Sequence, residues 1–343
     1  MMNNTEKITF KQWKEELKHN LSDKTKRQIV KQKVLMFFGK LIRTIILIGL
    51  CFVILLPIFE KLSAAVRDRV DITNPNVVWI PETYSMFNIN FAWELLDFSN
   101  TIWNTLLIST GCTLLQVFSC ALAGYSFARL NFKGRNIIFY LVLLTLVVPN
   151  EALHRSRSLF LVSYSFFGVK LIGNMLSMFL LSIFGQGIRS AIFIFLFRQF
   201  FKGVPIELEE SAQVDGAGVI RTFWSVMLPN ARGAIVTVSL FSFVWQWNDY
   251  YFGSLLGYNE DTFPLLAVKL GAGSEKIRTI LNTWIMEGRD VVKGLAVDDA
   301  SDPLFVSLIT ETGALLMMLP LLIGYFFVQK QFVESIERTG ITG

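Results

Sequence analysis

Polar side chains set inside apolar sequence are costly, so they mark where chemistry is to be sought. Arg189 is the sharpest of them. It stands with Gln186 in an otherwise apolar stretch that ends at Arg198 and Lys202. At roughly 1.5 Å of helix per residue, it falls in the outer half of a bilayer. A guanidinium there could face a translocation path and touch an anionic or hydroxyl-rich solute. The other reading is an arginine that snorkels to the outer interface. Gln116, Gln246 and Asn248 are weaker candidates for lining a polar cavity, and helix-to-helix hydrogen bonds would explain each of them equally well. The run WQWNDYY at 245–251 gathers Trp247, Asn248 and Asp249 near the outer end of an apolar segment. Such a cluster can stack on a sugar ring. An aromatic belt at the membrane surface accounts for Trp245, Trp247 and Tyr250, but Asn248 and Asp249 still need polar partners or water.

A second constellation lies in 203–229, GVPIELEESAQVDGAGVIRTFWSVMLP, a long charged stretch between two strongly apolar ones. Pro205 suits the first position of a helix, where its missing N–H costs nothing. Glu207, Glu209 and Glu210 would then fall in the first turn, where the helix dipole favours negative charge. Gly216 and Gly218 end that helix in permissive backbone. A second short helix, Val219 to Leu228, carries Phe223 and Trp224, and Pro229 marks a break. An amphipathic connector between two membrane spans would also look like this.

Neither stretch carries catalytic machinery. There is no GxxxxGK[ST] phosphate cradle, no HExxH and no GxSxG. His19 and His154 are far apart, so no histidine-based metal site is visible. Cys51, Cys112 and Cys120 all lie in apolar runs and read as small buried hydrophobes. An active transporter of this composition would need a partner ATPase, gripped from the cytoplasm.

The elements that must position these residues are membrane spans. Hydrophobic residues make up 52% of the 343, with mean hydropathy +0.48. Several runs reach the roughly 20 residues that cross a bilayer core. The net charge of +5 sits where membrane topology wants it and does not suggest nucleic acid. Residues 1–40 form a basic arm in which Phe10, Trp13 and Leu17 recur at helical spacing among lysines. That arm is either an amphipathic helix on anionic lipid or a solvated tail, and it lacks the pattern of a signal peptide.

Six spans are expected, at about 41–58, 104–127, 136–148, within 171–201, 231–256 and 304–328. Pro149 closes the third, and the fourth, longer than one crossing needs, could be tilted or preceded by a short outer helix. Lysines before the first span, and Arg129, Lys133 and Arg135 after the second, put both termini and 203–229 in the cytoplasm. Residues 59–100, with NPN at 74–76, would lie outside. So would 150–170, where Tyr164, Phe166 and Phe167 suggest an interfacial helix, and the polar segment 257–303. Residues 329–343 form a short cytoplasmic tail.

With this topology, ELEESAQVDGAGVIRTFWSVMLP resembles the EAA loop of permease subunits of bacterial importers of the ATP-binding-cassette class. The family pattern runs E-A-A-x-x-D-G-A, a hydrophobic stretch, then L-P. Glu210, Ala212, Asp215, Gly216, Ala217, Leu228 and Pro229 match it, and Ser211 replaces the first alanine. AGYSFARLNFKGRN, IFLFRQFFKGVPIELEESAQVDGA, WNDYYFGSLL and the C-terminal QKQFVES are similar in order and spacing to the carbohydrate branch, the maltose-permease G-type subunits. The N-terminal arm and 257–303 are longer than usual in that family.

The resemblance implies an all-α integral membrane protein of six transmembrane helices with a cytoplasmic coupling helix, the type I importer permease fold. It implies a multi-pass subunit of the bacterial inner membrane that binds no cofactor itself, with ATP and Mg held by partner ATPase subunits. The implied partners are a second, different permease, two copies of that ATPase, an extracellular solute-binding protein, membrane lipid and a sugar substrate. Glu210, Ala212, Asp215, Gly216, Leu228 and Pro229 would couple to the ATPase. Arg189, Gln186, Gln246, Asn248, Asp249 and Trp247 would be candidates for the substrate path. Arg189 together with His154, Arg155 and Arg157 leaves room for an acidic sugar. An ion-coupled secondary transporter would want paired acids or interrupted helices within its spans, and no embedded acidic pair is visible. A permease for a non-sugar solute stays open, and nothing supports a membrane enzyme or scaffold.

Overall fold

The computed structural model describes residues 24–341 except 72–73, 75–76, 78, 149–153, 164, 167, 260–261 and 272. The expected amphipathic helix around Phe10, Trp13 and Leu17 lies outside the described residues, as do Pro75, Asn76, Pro149, Tyr164 and Phe167. The chain divides into two units, residues 1–60 and 61–343.

In the first unit, helix α1 begins at Lys24 and runs on as far as Val66. Pro57 lies inside it, and the helix runs past residue 58, where the first span was expected to end. A proline within an apolar helix loses one backbone hydrogen bond, a loss that membrane helices commonly absorb. Leu35, Ile42, Ile46 and Ile54 are all exposed. A helix that is apolar all round without being buried in protein is a lipid-facing helix.

The second unit is built on α2 (Phe87–Leu96) and α3 (Phe98–Arg129). Asn88 is fully buried and donates its amide to the carbonyls of Ala64 (2.9 Å) and Arg67 (2.7 Å), which satisfies the end of the preceding helix. Helix α4 (Arg135–Leu144) is shorter than the expected third span. It is followed by α5 (His154–Ser163) and by a hairpin, β1 (Ser165–Phe166) antiparallel to β2 (Val169–Lys170). Phe166 lies in this hairpin and not in the interfacial helix expected for it, and Gly168 takes the left-handed backbone that tight turns favour. The hairpin is a small exception to an all-helical chain.

The fourth span is two helices, α6 (Met175–Ile183) and α7 (Ser190–Gly203). Next come α8 (Ile206–Val214) and α9 (Val219–Asn230), which meets α10 (Arg232–Trp247) at a bend of 79°. The bend falls at Ala231, not at Pro229, which sits inside α9. The segment 257–303, expected as a long outer loop, is largely helical among its described residues. After α11 (Tyr251–Leu255) it carries α12 (Leu266–Leu270) and the amphipathic α13 (Gly273–Met286). Ile277, Leu281 and Trp284 recur on one face of α13 and pack with Phe87, Phe91 and Phe305. The last helix, α14 (Pro303–Ile341), runs on past residue 328, where the sixth span was expected to end, into the residues expected as a short tail.

Among the described residues, α1, α3 and α14 are long and apolar enough to cross a membrane alone, and the bent pair α9–α10 makes a fourth candidate. The other expected crossings are too short or broken to qualify by length.

The main core lies where α3 meets α7, α9 and α10, around Tyr125, Phe197, Phe201, Phe223 and Met227. Gly124 makes this possible. A Cβ placed there would come within 2.9 Å of the Arg198 backbone nitrogen. Gly124→Val is therefore expected to destabilise the subunit by about 1–3 kcal/mol through overpacking. Thermal unfolding of the detergent-solubilised protein checks this, with Gly124→Ala giving a smaller drop.

Candidate functional site

Helix α8 follows extended backbone at Pro205 (φ −54°, ψ 135°), so the proline precedes the first turn by one residue. Its C-terminus is closed by Gly216 in the left-handed conformation (φ +79°). Gly216 donates its N–H to the Gln213 carbonyl and Ala217 donates to Ala212, each at 2.9 Å. This pair of bonds is a Schellman closure, which needs left-handed backbone at the glycine. A Cβ at Gly216 would meet nothing within 4 Å, so the requirement is conformational and not steric.

The three glutamates of α8 do not share one environment. Glu209 is buried. Its Oε1 accepts the Tyr125 hydroxyl at 3.0 Å, and its Oε2 pairs with Arg129 Nε at 3.5 Å. Arg129 also donates from Nη2 to the Val204 carbonyl just ahead of α8. Tyr125 and Arg129 lie one turn apart at the end of α3, so a single helix end grips both the first turn of α8 and the backbone leading into it. Sequence reasoning missed Glu209, although its anchors stood within the quoted stretch AGYSFAR. Glu210, Asp215 and Gly216 are exposed, and Ala212 is half-buried. Val214 is 87% exposed on the same short helix.

Leu228 and Pro229 belong to α9, which opens into a π-turn over Phe223–Met227. There the Leu228 N–H bonds to the Phe223 carbonyl five residues back. The wider turn lets both Phe223 and Met227 enter the core, with Phe223 against the Tyr125 ring at 5.3 Å.

The second site is the break between α6 and α7. Gly185 (φ +70°) and Arg189 (φ +54°) both take left-handed backbone. Irregular backbone at membrane depth is tolerated where protein satisfies it or a cavity borders it. Both conditions hold. Gln116 on α3 donates to the Ile188 carbonyl (2.8 Å) and the Ser190 hydroxyl (2.7 Å), and accepts from Ser242 on α10 (2.6 Å). Gln116 is thus a fully buried hub of helix-to-helix hydrogen bonds, the second of the two readings its sequence position offered. On its other side the break borders a cavity of about 1000 Å³ whose lining includes Gln186, Arg189, Arg157 and Ser126. The Arg189 guanidinium lies over the Trp245 ring at 4.6 Å.

The structure brings Gln186 and Arg189 together and keeps 246–249 apart from them. Trp247 is buried and donates its indole N–H to the Met317 carbonyl at 3.0 Å. Asn248 bonds back to Val244 within its own helix at 2.8 Å. Asp249 Oδ2 accepts the N–H groups of Phe252 (2.8 Å) and Gly253 (3.2 Å), capping α11. Gln246 is buried, and its amide atoms have no hydrogen-bond partner among the described residues. Among the described residues no three His, Cys, Asp or Glu side chains gather as a metal site.

Long apolar helices, a broken helix beside a cavity and a short helix tied to the end of a long one are the architecture of a helical membrane protein. Residues 120–334, more than half of the chain, match the family of binding-protein-dependent transport system inner membrane components, and the chain belongs to that family. Maltodextrin transport system permease protein MalD of Streptococcus pneumoniae is 28% identical over 304 residues, 87% of this chain and 93% of that protein. Melibiose/raffinose/stachyose import permease protein MelC of Bacillus subtilis is 23% identical over 291 residues, covering 84% and 91%. The sn-glycerol-3-phosphate transport system permease protein UgpE of Yersinia enterocolitica is 29% identical over 212 residues, covering 59% and 71%. A crystal structure of a bacterial ABC transporter involved in the import of the acidic polysaccharide alginate contains a chain with the same fold. Its TM-score is 0.57 at 22% identity, covering 87% of this chain and 97% of that one.

Proposed function

We propose that this chain is one permease subunit of an ATP-driven, binding-protein-dependent importer of oligosaccharides or related hydroxylated solutes. It forms half of the translocation path with a second, different permease. Two copies of a partner ATPase hold ATP and Mg, and an extracellular binding protein delivers the solute. In this reading six spans cross the inner membrane between the basic arm 1–40 and the tail 329–343, and both termini are cytoplasmic. Residues 203–229 lie in the cytoplasm, with α8 as the coupling helix, and 257–303 forms an outer helical cap.

The observation that carries the reading is the asymmetry of α8. One side is locked to α3 through Glu209, Tyr125, Arg129 and Val204. The other leaves Glu210, Val214 and Asp215 exposed. A helix held rigidly on one side and open on the other is a lever awaiting a docking cleft. Glu210 would pair with a basic group of the ATPase, while Gly216 would hold the helix-turn geometry. Leu228 and Pro229, in the helix that follows, would carry the motion into α10. The sugar assignment draws on MalD and MelC, which are named for the transport of maltodextrin and of melibiose, raffinose and stachyose.

Affinity purification of the tagged subunit from its native membrane tests the proposal. Recovery of a stoichiometric cassette ATPase and a second permease is expected. Recovery of the subunit alone, with solute uptake driven by an ion gradient, would sink it.

A further inference from the structure

We propose that the pocket between α2 and the turn after α13 binds one neutral pyranose ring of a saccharide, on the outer side of the membrane. The proposal rests on the importer reading and its topology, and adds to them a site and a charge class of solute. The pocket measures about 420 Å³, inside the roughly 300–1,000 Å³ typical of small-molecule sites. Asn90, Trp93, Glu94 and Asp97 line it at i, i+3, i+4 and i+7, one face of α2 and its C-cap. Trp284, near the end of α13, and Arg289, just beyond it, line it from the other element. Phe91 packs on the Trp284 ring at 5.0 Å, so both elements are positioned by one core.

The polar groups are held in place, and each keeps an open edge. Arg289 donates from Nη1 to Glu94 Oε2 at 3.0 Å and from Nε to Glu287 Oε2 at 2.6 Å. Among the described residues its Nη2 and Glu94 Oε1 make no hydrogen bond, which leaves a donor and an acceptor on one ion pair. A vicinal diol fits that combination, because each hydroxyl both donates and accepts. Asn90 is exposed, and its side-chain amide is likewise unbonded among the described residues. Trp284 is 2% exposed, and its indole N–H has no acceptor among the described residues. Buried indoles usually find one, and a ring hydroxyl reaching this wall would supply it. Trp93 offers the flat surface. Phe98 covers one side of its ring at 4.5 Å, yet the residue stays 44% exposed. The C–H groups of a pyranose carry slight positive charge and sit well on the negative face of an indole. Charge selects against an acid. Glu94 and Glu287 together outweigh Arg289, and Asp97 is matched by Lys269 at 3.4 Å. A cation would have to displace Arg289 from Glu94. Side chains already fixed by these pairs lose little freedom when a ligand arrives.

The test is equilibrium binding by the complete importer in phosphatidylcholine nanodiscs, without ATP or binding protein, followed by saturation-transfer NMR. The probes are two neutral trisaccharides, maltotriose and raffinose, and the acidic trigalacturonate. At least one neutral sugar is expected to bind about tenfold or more tightly than the acid. Trp93→Ala should weaken that binding about tenfold or more, and Trp93→Tyr should retain most of it. Arg289→Lys, which keeps the charge and loses the fork, should weaken it about fivefold. Trp103→Ala, which removes an exposed indole of α3 outside the pocket, should change nothing. Failure of both neutral sugars to bind, or equal binding of the acid, would overturn the proposal. So would neutral-sugar binding untouched by Trp93→Ala and Arg289→Lys, or an equal loss in Trp103→Ala. Trp93→Ala that spares saccharide binding but weakens capture of the binding protein would make the pocket a docking seat and also overturn it. The importer reading fails by a different result, the absence of an associated ATPase.

Discussion

Gly216→Val is expected to cut ATP-driven uptake by the assembled importer about tenfold or more, with the amount of subunit in the membrane unchanged. The reason is local and conformational. Gly216 holds φ +79° with open space where a side chain would be, so a valine meets no neighbour. It does meet its own backbone, because left-handed conformation costs an L-residue roughly 1–2 kcal/mol, and β-branching adds to that. Relief of this strain would open the two bonds that close α8, from Gly216 to Gln213 and from Ala217 to Ala212. The exposed end of the helix would then point elsewhere relative to its fixed first turn. None of these residues lies in the apolar spans, so insertion and packing of the core should not change. Gly216→Asn discriminates between explanations, since asparagine accepts the same backbone. Uptake assays in membrane vesicles, with immunoblots for subunit amount, are expected to show near-normal transport for asparagine and loss for valine. Normal transport by the valine variant would remove α8 closure from the mechanism.

That glycine was legible in the sequence because its environment is sequential. A helix start after Pro205, acids in the first turn and a glycine after the last turn are all signals carried within a dozen residues. The long apolar helices α3 and α14 were legible for the same reason. For the fourth span the excess length allowed a short preceding helix, but the position of the break was not legible. Gly185 and Gly187 were visible, but glycine is frequent in unbroken membrane helices. What stabilises the break comes from Gln116 and Ser242, distant in sequence. The cluster 245–251 shows the opposite failure. Trp247, Asn248 and Asp249 have the chemistry of a sugar site, yet each finds a local or buried partner. Residue type cannot distinguish a cap or an anchor from a ligand-binding group. Helix α13 lay in a segment that looked merely polar because only its Ile277, Leu281 and Trp284 face is buried.

The sharpest consequence of the structure concerns two adjacent glutamates with opposite fates. Glu209 is buried against Tyr125 and Arg129 of its own subunit, whereas Glu210 is exposed. Glu209→Gln and Arg129→Gln are each expected to abolish stimulation of the ATPase by loaded binding protein. Either change strands one partner of a buried pair, at a cost of about 3–5 kcal/mol when water cannot reach it. The side chains of this pair are each 11% exposed, so little solvent is available to screen the stranded group. The loss should fall on coupling first, because Arg129 also holds the Val204 carbonyl at the entry to α8. The Glu209→Gln, Arg129→Gln double variant should recover part of the stimulation, since no buried charge is left alone. A double-mutant cycle on stimulated ATPase rate should then give a coupling energy of about 1–3 kcal/mol. Additive single effects would mean that the pair does not act as a unit. Glu210→Gln should behave otherwise: the subunit keeps its thermal stability but releases the ATPase on purification. A Glu210 variant that lowers the stability of the isolated subunit, or a Glu209 variant that lowers only ATPase retention, would reverse the assignment of the inner and outer faces of α8.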